Sequence, residues 1–352
     1  MRSDGRFGDR NRVDNRRGDN RRHVLAAAAT GFREFLAQNG GGAAQIFSDV
    51  GLDEQQLSDA TMALELSTYV EMMERAAGLT GNANFGLWYG QQFQPDMLGL
   101  IGGVALAAPT LGQAVTNLAT LFPYHQQATA THLVAEADMM QLEYRILDGG
   151  IVERRQDAEL TLGMFVNVFR HCLGPHWAPE EIHFEHPKPG GWQDHETAFA
   201  APVFFGQRTN AVVFRQEPLG RPMPNADFRR LNSLRDQLMR VGRGREVVSL
   251  LDRVKAEIRS ALPDGLPYIE AVADALAIPR WTLQRRLADH GLSFSDLVDR
   301  VRKHLAEQYV KQCHVPFVEI ADILGYSELS AFSRAFSRWF GMSPRAFRAR
   351  LN

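Results

Sequence analysis

The stretch Pro279–Gly291, Pro-Arg-Trp-Thr-Leu-Gln-Arg-Arg-Leu-Ala-Asp-His-Gly, limits this chain more than any other. It holds a start and a stop for one short helix, with Pro279 at a first helical position and Gly291 just past the end. At about 100° per residue, Leu283 and Leu287 share one face while Trp281, Gln284, Arg285 and Ala288 share the other. Burying the leucines therefore turns an aromatic ring, an amide and a guanidinium outward together. Gln and Arg can make the bidentate contacts that distinguish bases in a major groove. A helix of this kind behind a short supporting helix is the reading element of helix-turn-helix proteins. Taken alone, the same helix also fits a merely solvated face, so its neighbours decide.

Those neighbours repeat the pattern. Ile269–Leu276 is a supporting helix with Val272, Ala273 and Leu276 inward, Ala277-Ile278-Pro279 is a turn, and Arg280–His290 is the reading helix. A long helix over about Ser295–Gln312 leads to a second unit, in which Phe317–Leu324 supports and Gly325-Tyr326-Ser327 turns. Glu328–Phe340 follows as a second reading helix, with Phe332, Phe336 and Trp339 inward and Ser330, Ser333, Arg334 and Arg338 outward. Gly341-Met342-Ser343-Pro344 stops it before a last short helix, Arg345–Leu351. A connector of about 17 residues spans ~25 Å. With the breadth of the units themselves, that spacing suits successive major grooves ~34 Å apart, on DNA that bends somewhat.

Charge distribution supports this placement. The chain of 352 residues carries a formal net charge of only −2. Residues 1–23 hold eight arginines against four aspartates, and residues 263–352 hold twelve Lys/Arg against ten Asp/Glu. The middle, 24–262, therefore holds the negative excess, so an acidic body carries a mildly basic C-terminal module. Length and 45% apolar residues provide for two or three packed domains. Cys172 and Cys313 lie far apart without metal-type spacing, which points to a reduced compartment. No signal peptide is visible, and the longest apolar run, Met97–Ala108, is too short and glycine-broken to span a bilayer. The expectation is a cytoplasmic protein without membrane contact.

Residues 1–23 read as a disordered arginine-rich tail, because they have too few apolar side chains to offset the entropy of ordering. Helical patterns follow at Val24–Gln38, Ala43–Val50, Ser67–Leu79 (with Ser67 as cap), Asn84–Tyr89 and Thr110–Leu121, the last capped by Thr110. Ala128–Glu136 and Met139–Ile146 form a hairpin around Ala-Asp. Arg154–Leu173 is a long helix with Ala158, Leu162, Phe165, Val166 and Phe169 on its inner stripe. Glu181–Glu185 and Ala211–Arg215 are strands, separated by a Pro/Gly loop. The expected fold is thus an α+β regulatory domain over 24–230 and a helical linker over 231–262. An all-α domain over 263–352 follows, with two helix-turn-helix units joined by a long helix.

The segment 321–348, Ala-Asp-Ile-Leu-Gly-Tyr-Ser-Glu-Leu-Ser-Ala-Phe-Ser-Arg-Ala-Phe-Ser-Arg-Trp-Phe-Gly-Met-Ser-Pro-Arg-Ala-Phe-Arg, resembles the signature of AraC-family transcriptional regulators. Trp281-Thr-Leu-Gln-Arg-Arg-Leu resembles that family's first recognition helix. The N-terminal part is similar to the arabinose-binding-domain-like regulatory domain of the AraC subgroup that includes ornithine-utilisation regulators. That likeness rests on Gly99–Leu111 with its Ala-Pro-Thr-Leu, Arg154-Arg155, Leu173-Gly-Pro-His-Trp, His183-Phe-Glu-His-Pro and Phe204-Phe-Gly-Gln-Arg-Thr-Asn-Ala-Val-Val-Phe. The resemblance implies base-reading positions at Trp281, Gln284 and Arg285 in the first unit and at Leu329, Ser330 and Arg334 in the second. Arg280, Arg286, Ser333 and Arg338 complete the expected DNA-contacting set. Leu329 departs from the polar residue many members carry, so the first helix is expected to be the stronger determinant. The resemblance further implies double-stranded DNA and RNA polymerase as partners, a homodimer, and activation of a nearby promoter.

Other signals are weaker. Five of the eleven histidines, His171, His176, His183, His186 and His195, crowd one region, but none pairs at helical i, i+4 spacing on a clear face, so no metal is assigned. No Gly-x-Ser-x-Gly, Walker loop or Gly-x-Gly-x-x-Gly occurs, so neither a catalytic residue nor a cofactor is assigned. Met97, in the apolar stretch 97–108, and the pair Arg154 and Arg155 mark the expected seat of an unidentified small-molecule effector. The alternative is an N-terminal domain that only pairs subunits or binds another protein.

Overall fold

The computed structural model describes residues 22–242 and 248–351. Most of the arginine-rich tail, residues 1–21, lies outside the described residues. Its last two positions are built into the fold. Arg22 forms ion pairs with Asp148 and Asp252, and His23 begins a strand. Carboxylates from two parts of the chain thus neutralise an arginine that composition alone assigned to a solvated tail.

The N-terminal domain opens with β1 (His23–Leu25), α1 (Phe32–Gln38) and α2 (Ala43–Val50). It continues through β2 (Ala63–Glu65), α3 (Leu66–Thr80), α4 (Phe85–Gln92), α5 (Gly99–Leu106) and α6 (Leu111–His125). Val24 and Leu25, expected to be helical, instead pair antiparallel with Leu64 and Ala63. Ser67 lies inside α3, and Glu65 stands at the cap, so the expected Ser67 cap is not formed. Thr110 does cap α6, accepting from the Gln113 N–H.

A five-stranded sheet follows, in the order β3 (Thr129–Glu136), β4 (Met139–Ile146), β7 (Asn210–Arg215), β5 (Glu181–His183) and β6 (Val203–Phe204). Only β5 and β6 run parallel. Strict alternation in β4 buries Met140, Leu142, Tyr144 and Ile146, while the central strand β7 is buried from Asn210 to Phe214. Against the sheet lies α7 (Arg155–Leu173), which is buried on every side from Gln156 to Phe169. The sequence showed one apolar stripe on this helix. The fold covers the other faces as well, because α4 crosses it through glycines. A Cβ on Gly86 would stand 2.1 Å from the Gln156 carbonyl oxygen, so the backbones almost touch. The stretch read as a Pro/Gly loop holds a further helix, α8 (Gln193–Phe199), which carries His195 into the core.

The expected linker divides between the domains. α9 (Phe228–Val241) packs on α5, where Leu231 meets Val104 and Ala107. α10 (Leu250–Ala261) instead gives Val254 and Ile258 to the core of the first helix-turn-helix unit. That unit comprises α11 (Ile269–Ala275) and α12 (Arg280–Asp289), with Val272, Leu283, Leu287 and Leu297 in the same cluster. The connector α13 (Phe294–Lys311) is capped by a Ser293–Asp296 box and leads to α14 (Phe317–Ile323), α15 (Leu329–Phe340) and α16 (Pro344–Ala349). A second, separate core forms there around Leu305, Ile320, Leu324, Phe332 and Phe336. Among the described residues no helix is long and apolar enough to cross a membrane.

The two units close their turns differently. Each supporting helix ends on a left-handed residue, Gly325 at φ +72° in the second unit and Ala277 at φ +52° in the first. Left-handed alanine is strained, so Ala277→Gly is expected to raise unfolding stability by up to about 1 kcal/mol, net of the entropy glycine adds to the unfolded chain. A thermal or urea unfolding curve checks this; a lower midpoint would show that the strain is relieved elsewhere.

Candidate nucleic-acid interface

The first reading helix takes its start from Pro279, which stands outside α12 as its cap, not at the first helical position. Its extended ψ of 140° leaves its carbonyl free to accept from the N–H groups of Thr282 and Leu283. Leu283 and Leu287 are buried, and Trp281, Gln284, Arg285 and Arg286 are exposed on the surface, with Trp281 at 63%. The Arg285 guanidinium lies 5.3 Å from the centre of the Trp281 ring, a cation–π contact that restricts the arginine before any ligand arrives. Arg280 is tied to Glu270 of the supporting helix at 2.6 Å. It therefore braces the two helices as well as adding positive charge.

In the second unit Phe332 and Phe336 are buried, and Leu329, Ser330, Arg334 and Arg338 are exposed; Ser333 is half-buried. The Ser330 hydroxyl donates to Glu328 at 2.9 Å, so part of its hydrogen-bonding capacity is already used. Arg338 is held by Asp299 of the connector at 2.9 and 3.1 Å, and the same carboxylate accepts from the Trp339 indole N–H at 3.0 Å. Asp299 was not singled out in the sequence. Its only signal there was an acid on the connector, and which helix it meets is a tertiary fact. Arg302, buried on α13, donates to the carbonyls of Leu324 and Gly325 at 2.8 and 2.9 Å and so holds the turn before α15. Arg348 does the same at the other end, donating to Val310, Cys313 and Val315. Outward residues thus meet solvent while two inward arginines set the second reading helix on the connector.

The three residues expected around an effector separate. Met97 is half-buried against the N-terminal core beside Gly31, and it lines none of the cavities that Arg154 and Arg155 border. The apolar run that suggested Met97 as a pocket wall is spent on core packing. Arg154 and Arg155 open instead onto a crevice between the domains. Arg154 grips Glu185 with two hydrogen bonds, at 2.6 and 2.9 Å, and donates to the Ile146 carbonyl. Arg259 of α10 approaches the same carboxylate from the C-terminal domain at 3.7 Å. Burial alone would raise the Glu185 carboxyl, yet the two arginines override it and hold it at about 2. Arg155 pairs with Glu159, which also accepts from His195 at 2.7 Å.

Further polar contacts bind the domains. Arg145 pairs with Glu257 at 3.0 Å, Ser260 donates to the Arg208 carbonyl, and the Lys188 N–H donates to Glu319 of α14. Of the clustered histidines, His186 and His195 come together at Glu159, at 3.4 and 2.7 Å. Burial pushes His186 down to about 4 despite the carboxylate. Among the described residues no group of three or more His, Cys, Asp or Glu side chains could hold a metal ion.

Residues 40–223 match the family described as the arabinose-binding domain of AraC transcription regulator, N-term, and residues 272–350 match a helix-turn-helix domain. The HTH-type transcriptional regulator VirS of Mycobacterium tuberculosis is 31% identical over 306 residues, spanning 85% of this chain and 87% of that protein. The ornithine utilization regulator of Pseudomonas aeruginosa is 25% identical over 329 residues, 92% of this chain and 96% of that one. Among solved structures, the transcriptional regulator CdpR from Pseudomonas aeruginosa aligns over 90% of this chain and 98% of that chain, at 21% identity and a TM-score of 0.40.

Proposed function

Since the chain belongs to the AraC family of transcription regulators, we propose that it reads a specific operator mainly through α12 and is controlled by a small molecule bound between its two domains. The observation that carries the first part is the unevenness of the reading helices. α12 offers Trp281, Gln284, Arg285 and Arg286 to solvent, whereas α15 offers Leu329, a serine already bonded to Glu328, an arginine tied to Asp299 and, as its one exposed arginine without such a tie among the described residues, Arg334. Bidentate readers are thus more numerous on the first helix, and the second keeps Arg334 as a single reader beside groups suited to backbone grip and to a thymine methyl. The second part is supported by the crevice at Arg154 and Arg155, whose walls come from both domains. A molecule bound there would favour one arrangement of the domains over another, which is what effector control requires. Homodimer formation, contact with RNA polymerase, activation of a promoter and a cytoplasmic site of action complete the proposal on the strength of family membership.

Arg285→Ala is expected to weaken binding to the operator by about 1–3 kcal/mol and to relax specificity at one base pair. Genome-wide binding-site mapping followed by competition with single-base operator variants measures both. An equal loss on scrambled DNA would instead make Arg285 a phosphate contact. For the effector, thermal shift of the full chain against a metabolite panel should give at least one stabilising compound. A panel without a single hit would favour an N-terminal domain that only pairs subunits.

A further inference from the structure

The crevice continues from Arg154 into a second, more apolar compartment of about 180 Å³. One wall is the segment that leaves β4, with Ile146, Ile151 and Val152; the others are α10 and the connector α13. Aliphatic side chains make up most of the lining, and the charged groups around it are unequal. Asp148 is the one acid, and Arg22 already engages it. Lys255 is 3.4 Å from Asp252, and Arg154 and Arg259 share Glu185. Arg300 and His304 remain, one turn apart on α13; neither side chain makes a hydrogen bond or close ion pair among the described residues, and Arg300 feels the Asp296 carboxylate one turn back only at longer range.

We propose that this compartment binds a small monocarboxylate whose apolar body is about the size of one aromatic ring, with its carboxylate on Arg300 and His304. The size follows from volume, since an apolar cavity of roughly 150 Å³ accepts a benzene molecule. The charge follows from the Arg300 guanidinium and the His304 imidazole at the rim of an apolar space, because a carboxylate there gains a charge-assisted hydrogen bond from the arginine and a second donor from the imidazole while its body leaves water. Asp148 on the same wall disfavours a second negative charge. The consequence for regulation lies in where Arg300 and His304 sit. α13 sets the spacing of the two reading helices, while one apolar wall, with Ile146, Ile151 and Val152, belongs to the regulatory domain, so a ligand that fills the compartment ties the connector to that domain. The inference rests on the reading above that the effector lodges between the domains, and it names the chemistry of that site.

The test is isothermal titration of the full-length protein with benzoate, phenylacetate and hexanoate, against benzamide and benzylamine. The acids are expected to bind roughly tenfold or more tightly than the amide, and Arg300→Gln with His304→Gln to remove roughly the same factor. Both side chains are exposed, so the double variant should keep the wild-type melting curve. Ala256→Leu, which fills the compartment, should abolish acid binding. Equal affinity for benzoate and benzamide, or acid binding that survives the double variant, overturns the proposal. If benzylamine alone binds and Ala256→Leu abolishes it, the carboxylate assignment falls while the interdomain effector site stands. If none of the probes binds although operator binding is intact, the carboxylate assignment falls and operator reading is untouched.

Discussion

Replacing Glu185 by alanine is expected to destabilise the protein by about 3–5 kcal/mol, the cost of breaking a buried ion pair from one side. The carboxylate is 7% exposed, and Arg154, its bidentate partner, is 6% exposed. Without it the Arg154 guanidinium keeps one hydrogen bond, to the Ile146 carbonyl, and Arg259 loses its anion across the domain boundary. Urea unfolding should show the loss, and limited proteolysis should show loosened domains. A companion variant separates charge from packing: Arg154→Met with Glu185→Leu removes the bidentate pair and is expected to recover most of that loss, the part owed to Arg259 remaining. Should the single change prove harmless, water must reach Arg154 and the pair is not buried in solution.

The same carboxylate sets an acid limit. Its folded value of about 2 lies below the ordinary 4.5, so its contribution is full above pH 4.5 and is lost as pH falls toward 2. Asp157 and Glu74 act in the opposite sense, since burial raises both to about 7. For these two the folded protein keeps protons that the unfolded chain releases, so their contribution is lost as pH rises from the ordinary carboxylate range toward 7. A pH series of unfolding curves should therefore fall off on the acid side in the wild type, and less steeply in the doubly uncharged variant.

Phe332→Ala should cost about 3–5 kcal/mol, and the damage should stay local. Phe332 is fully buried among Phe336, Tyr326 and the supporting helix of the second unit, in a core distinct from that of the first unit. The two clusters share the partly buried Val301 of the connector. The expected result is a variant whose first unit and N-terminal domain melt as before while the second loses its fixed structure. Operator binding should then drop to that of one unit, and protection of one half of the footprint should vanish. A single cooperative melt shifted as a whole would show that the two cores are coupled through α13.

Much of this was legible in the chain because it depends on neighbours in sequence. The faces of α12 and α15 follow from helical spacing, and the β3–β4 hairpin follows from two β-rich runs around Ala137-Asp138. Local signals failed where distant segments set the environment. Val24 and Leu25 look helical until Leu64 and Ala63 arrive as strand partners. Residues 231–262 look like one linker, but α9 and α10 bury their apolar faces in different domains. Met97 and Arg154 look like parts of one pocket, yet one fills the core and the other meets Glu185.

The helix that begins after Pro279 shows the division most clearly. Its length, its buried leucines and its outward Trp281, Gln284 and Arg285 come from periodicity, which the covalent chain carries in full. That Arg280 and Arg338 are held by Glu270 and Asp299, that Arg302 secures the turn before α15, and that an apolar crevice opens beside Arg300 and His304 depended on folding. Charges and cavities take their strength from what surrounds them, and only the packed molecule determines which groups are neighbours and how far water is kept away.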